Sequence, residues 1–200
     1  MNTSTQKLFG MVAVALAVLF PIYWIHALSS AVGYADVAHR QDFATLDGWD
    51  LLFLIIGLLE VAVYLGLWRY FRDQLNGGFI GALLLVMAVL VGLTHATLLI
   101  DLLHFVGALH ASDALLDMVG VASLVLLGLY AVVLFALALT LLVRFVELPN
   151  LLRIFAVLAL ITAGLQITIV FAVANIVLFP ILMLVLAMHF FSGDDSVEVV

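Results

Sequence analysis

Polar residues in this chain are gathered into a few clusters, and the stretches between them are almost wholly apolar. Six apolar stretches stand out: 8–29, 51–71, 79–106, 115–145, 151–172 and 176–192. A helix needs about 20 apolar residues to cross the hydrocarbon core of a bilayer. The first four stretches reach that length between clear polar breaks: the loop 33–50, the RDQLNGG segment after Phe71, the GALHASDA segment after Val106, and ELPN after Phe145. The third and fourth are long enough to tilt or to project past the membrane.

Residues 151–192 are harder to divide. They hold no Asp, Glu, Lys or Arg after Arg153. One helix of that length would be about 60 Å long, twice the core thickness. Two helices fit better, with Asn175 as the turn residue and Pro180 in the first turn of the second helix. One span followed by a re-entrant segment is the other arrangement this stretch allows. The pattern thus predicts an all-α, polytopic membrane helix bundle: one domain over residues 1–200 with six transmembrane helices.

Composition excludes a water-soluble fold. Hydrophobic residues make up 68% of the chain and charged residues 10%, against about 25% charge in a soluble domain. Lipid is the solvent that resolves this excess, because only closed hydrogen-bonded elements such as helices cross it. The first stretch is expected to remain as a span, since Tyr23, Trp24 and His26 are too bulky for a leader cleavage site.

Charge then orients the bundle. Lys7, Arg69, Arg72, Arg144 and Arg153 fall on the side of the termini, and Arg40 alone on the other. The excess of Lys and Arg on cytoplasmic loops predicts cytoplasmic N- and C-termini in the cell membrane. Tyr23, Trp24, Tyr34 and Trp49 would mark the outer interface, and Trp68, Tyr70, Phe71, Phe145, Phe190 and Phe191 the inner one. The net charge is −7 with no basic patch, so the partner is the lipid bilayer and not nucleic acid. Association into a homo-oligomer or a larger membrane complex is compatible with such a surface. The two three-span halves would suit an inverted repeat, but they show no self-similarity.

Candidate chemistry lies in the few polar residues inside the stretches. Glu60 falls near the middle of the second, where a charged carboxylate costs several kcal/mol. It shares a helix face with Gly57, Tyr64 and Trp68. It reads as a proton relay or a substrate-binding acid, or else as a protonated residue hydrogen-bonded to Tyr64 or a neighbouring helix. Thr94, Thr97, Asp101 and His104 follow a spacing that spans an arc of about 80° on one helix. Asp101 and His104 could share a proton or a metal ion. His95 points away from that seam at a depth that suits pairing with Glu60.

Asp36 and His39, Asp101 and His104, and His110 and Asp113 are three Asp/His pairs at three-residue spacing, with His26 and Asp117 at similar depth. Imidazole and carboxylate together suit zinc, copper or iron. His26, Asp101, His104 and His110 are the candidate metal ligands, with haem or a divalent metal as the cofactor. Ala159 with Ala163 and Gly77 with Gly81 allow close helix packing. His189 reads as an interfacial anchor.

The sequence also removes chemistries. It has no Cys, no phosphate-binding loop, no H-E-x-x-H and no G-x-S-x-G. Lys7 is its only lysine, so no retinal Schiff base can form within a span. Three functions remain. One is a proton-coupled permease for a small solute or ion, with Glu60, Tyr64, His95, Asp101 and His104 as relay or binding residues. The second is a haem- or metal-binding redox or hydrolytic membrane protein. The third is an accessory or assembly subunit without chemistry of its own.

Overall fold

The computed structural model describes residues 2–33, 46–75, 77–110, 112–168 and 171–192. It is all-helical over these residues: α1 (Thr3–Gly33), α2 (Gly48–Gln74), α3 (Gly78–His95), α4 (Leu98–Phe105), α5 (Asp113–Val143), α6 (Asn150–Ile167) and α7 (Asn175–Ser192). Two short 3-10 turns, Phe145–Glu147 and Ala172–Ala174, precede α6 and α7. With α3 and α4 taken as one span, six helical spans are long and apolar enough to cross a membrane. The protein is a multi-pass integral membrane protein.

Local chemistry sets the boundaries that hydropathy missed. The second span begins at Gly48, three residues before its apolar run, because of a reciprocal cap. The Asp47 carboxylate accepts from the backbone of Trp49 (2.6 Å) and Asp50 (3.4 Å). Asp50 in turn accepts from the Asp47 N–H at 2.7 Å. Such capping boxes satisfy donors that a helix start otherwise leaves orphaned. Ser112 caps α5 by accepting from Leu115 N–H at 3.3 Å.

The third span is not the straight rod expected. It breaks at Ala96 and Thr97. Thr94 Oγ1 donates back to Leu90 O (3.0 Å), and Thr97 Oγ1 donates to Thr94 O (2.8 Å). Beyond the break, Leu99 and Ile100 bond to carbonyls three residues back instead of four. Hydroxyls that back-bond to the preceding turn bend helices. The predicted seam from Thr94 to His104 is therefore interrupted.

Residues 151–192 do form two helices, but the turn lies earlier than predicted. Asn175 is the first residue of α7, and Pro180 sits inside the helix beyond its first turn.

Each span packs on its neighbours in sequence, and α7 packs back on α1. The result is a closed ring of six spans in chain order. Phe9 of α1 meets Phe190 of α7, ring centroids 5.8 Å apart, so the start of the first span and the end of the last share one end of the ring. That half is solid. Leu16, Leu67, Leu84, Leu137, Phe155 and Leu186, one from each span, are each at most 1% exposed.

Lipid removes the hydrophobic drive between spans, so close packing must hold them. Small residues supply it. Ala13, Ala138, Ala156, Ala159 and Ala163 are fully buried. A Cβ on Gly66 would lie 2.7 Å from the Phe9 ring. Leu58, Val89, Leu124 and Val177 face outward, each at least 60% exposed, as a lipid-facing surface requires.

Arginines finish this end. Arg144 Nη1 donates to Leu75 O at 3.2 Å, and Arg153 donates to Phe145 O (2.9 Å) and Val146 O (3.0 Å). The guanidinium groups thereby bond turn carbonyls at this end, of which Phe145 O also accepts from Leu148 N–H at 3.3 Å.

Candidate functional site

The other half of the ring is hollow. A cavity of about 90 Å³ lies inside it, and every span contributes to its wall: Phe20, Phe53, His95, Tyr130, Gln166 and Asn175. Glu60 also lines it, from near the middle of α2. The cavity thus ends at the level of the carboxyl, and the packed leucine layer closes the ring beyond it.

Helix α2 positions the acid. Gly57, Glu60 and Tyr64 fall three and four residues apart and are all buried on one face. Glu60 is 6% exposed. Its Oε1 accepts from Tyr64 Oη at 2.9 Å and from Tyr130 Oη of α5 at 2.8 Å. The two phenol oxygens also lie within hydrogen-bonding distance of each other; each phenol has one proton, so at most two of these three bonds form at once unless the carboxyl donates one itself. Both bonds to the acid end on Oε1, which leaves Oε2 with neither hydroxyl. Helices α2 and α5 are not neighbours in the ring, so this cluster ties them across its interior.

His95 ends α3 and lies over Gly57, where any Cβ would run into the imidazole ring. The ring stacks on Phe53 (centroids 4.0 Å, 25°), and Phe53 stacks on Tyr23 (5.2 Å, 26°). His95 Nδ1 is 2.8 Å from Val91 O. A carbonyl can only accept, so Nδ1 carries the proton and neutral Nε2 is an acceptor. Nε2 is buried and has no hydrogen-bond partner among the described residues.

The turn between α6 and α7 forms another part of the wall. Asn175 Nδ2 donates to Thr162 O (3.2 Å) and to Gln166 Oε1 (3.3 Å). Two acceptors fix the orientation of the amide. Its Oδ1 is buried without a hydrogen-bond partner among the described residues.

The other predicted residues lie elsewhere. Asp101 is buried on α4, outside the cavity lining. His104 also sits on α4, its Nδ1 3.1 Å from Leu109 O, where it closes the turn after that helix. His26 lies flat on Trp49 (3.6 Å, 5°) and joins the end of α1 to the start of α2. His110 is exposed in the connection to α5.

The predicted metal set of His26, Asp101, His104 and His110 is therefore not brought together. Among the described residues, no three His, Asp or Glu side chains gather as a metal ion would need. Asp36 and His39 fall outside the described residues. Haem does not fit the cavity, whose volume is well below the roughly 300–1,000 Å³ of sites for larger ligands. His189, expected at the interface, is instead buried edge-on against Tyr70 at 4.7 Å.

Tyr130 and Asn175 are the site residues that the sequence reading left out. Tyr130 is the only phenol in its long apolar stretch, and that was the available signal. Asn175 reads in the sequence as a turn former, a role that hides its amide.

Fold and site together define a six-span membrane protein with a buried carboxyl–phenol cluster at the base of an internal cavity. No protein family matches the chain, no curated protein is similar to it, and no solved structure matches its fold.

Proposed function

We propose that this protein is a small permease in which proton exchange at Glu60 is coupled to passage of a small solute through the centre of the ring. One observation carries this reading: an ionisable carboxyl lines a cavity walled by all six spans, with a solid apolar layer beyond it. Ionisable groups inside a membrane are costly, and facing a cavity is their usual functional placement. The hollow half would admit solute from the side away from the termini. Rearrangement of the leucine layer would release it on the other.

Tyr64 and Tyr130 supply hydroxyls that can take or pass a proton at Oε1. Asp101 and His104 were expected to extend the relay. They do not line the cavity, so the proposal gives them no part. The positive side of the chain supports cytoplasmic termini, which makes the hollow half the outward one.

The accessory-subunit reading draws support from the same cluster, since the Glu60–Tyr130 bond also links two non-adjacent helices. Reconstitution in liposomes with an internal pH dye separates the two. Under the permease reading, Glu60→Gln abolishes solute-driven proton movement while circular dichroism and gel-filtration profile stay unchanged. Proton movement that persists in Glu60→Gln would remove the acid from the mechanism.

A further inference from the structure

The cavity wall carries an imbalance of hydrogen-bonding groups. Glu60 Oε2 takes no bond from the two phenols, whose hydroxyls both go to Oε1. Asn175 Oδ1 and His95 Nε2 are buried and unpartnered among the described residues. Asn175 is only 8% exposed. Asn175 Oδ1 and His95 Nε2 are acceptors in the arrangement seen, because the amide donors of Asn175 and the Nδ1 proton of His95 are already engaged, and Glu60 Oε2 is a third whenever the carboxyl is ionised. No Lys or Arg is among the described residues of the lining. The rest of the wall is largely aromatic, with Phe20, Trp24, Phe53 and Phe179.

A buried acceptor without a donor is costly, so a matching ligand brings N–H groups. A carboxylate without a basic partner calls for positive charge. Aromatic faces attract a cation through their quadrupoles, and indole does so best. The volume, about 90 Å³, limits the ligand to a few heavy atoms, since one water accounts for about 30 Å³.

We propose that the cavity is a binding site for a small alkylammonium ion, with its N–H groups on Glu60, Asn175 and His95 and its alkyl part against the aromatic wall. This names the substrate class for the permease proposed above, and it rests on that reading for transport alone. Binding and transport can therefore be tested apart.

The experiment is calorimetric titration of the full chain in detergent micelles at about pH 7, where an alkylamine is fully charged. The probes are ethylammonium, ethanol as its neutral counterpart, acetate as its anionic counterpart, and caesium as a small cation without N–H groups. The expected result is saturable binding of ethylammonium, with caesium weaker and the alcohol and carboxylate not binding. Glu60→Gln should weaken ethylammonium by about thirty-fold or more, as loss of one partner of a buried charge pair does. Asn175→Leu should weaken it less.

Ethanol binding as tightly as ethylammonium would overturn the proposal, and so would caesium binding equally well. These comparisons use the unaltered protein, so they hold even where a variant fails to fold. Proton-linked flux of another solute without ammonium binding would sink this inference and leave the permease standing. Ammonium binding without flux would do the reverse.

Discussion

Gly57 controls the shape of the site although it has no side chain to offer it. The imidazole of His95 occupies the space that a Cβ at position 57 would need. Gly57→Ala should therefore displace the ring, with loss of the Phe53 stack and the bond to Val91 O. Overpacking of this kind costs about 1–3 kcal/mol, which thermal unfolding in detergent would register. His95→Ala in the same chain should recover most of that loss, because the two positions share one volume and their effects will not add. Equal destabilisation in the single and double variants would show that the close approach is not what Gly57 provides. At Tyr130, replacement by Phe removes one of the two phenols on Glu60. Hydrogen bonds between spans average about 0.6 kcal/mol and reach about 1.7, so Tyr130→Phe should lower stability by that order. No change would mean that the bond is not formed.

The sequence was most informative about where Glu60 sits, and least about what meets it. Hydropathy finds an acid in an apolar run because the cost of burying charge is local. Its partner Tyr130 is 70 residues away along the chain, and a phenol in a membrane span is too ordinary to stand out alone. Among the described residues the Asp/His pairs form no metal cluster for a related reason. A three-residue spacing puts two groups on one helical face, but a metal site needs a third from another element, and spacing along one element says nothing about that.

Among the helices, the break in the third span changes the most. One continuous helix from residue 79 to 106 would keep Thr94, Thr97, Asp101 and His104 in a single seam. The hydroxyl back-bonds of Thr94 and Thr97 turn the chain between His95 and Leu98. Replacing both threonines with alanine should straighten the span. Spin labels at the outward-facing Val86 and Leu103 would then move apart, whereas an unchanged separation would assign the bend to packing. The start of α2 offers a simpler case. Asp47→Ala removes an acceptor from the capping box and should cost about 1 kcal/mol, readable in the same unfolding assay. Capping chemistry of this kind lies in polar residues outside the apolar run, so a reading by hydropathy begins the helix too late.

The whole molecule is a ring in which consecutive spans pack on each other and the last packs on the first. Reporter fusions after Ser192 and within the 33–50 loop should lie on opposite sides of the membrane, the first cytoplasmic, if the charge asymmetry governs insertion. A reporter after Ser192 on the outer side would refute that orientation. The ring has a further consequence in time. Consecutive contacts are local and form early, while the α1–α7 contact spans nearly the whole chain and carries the loop-closure cost that slows folding. Until α7 arrives, the first six helices make an open horseshoe, and the groove holding Glu60 faces lipid instead of protein. The interior is thus completed only when α7 docks. A chain cut after Ile167 should insert yet leave its acid exposed in a slot, a form suited to capture by quality control.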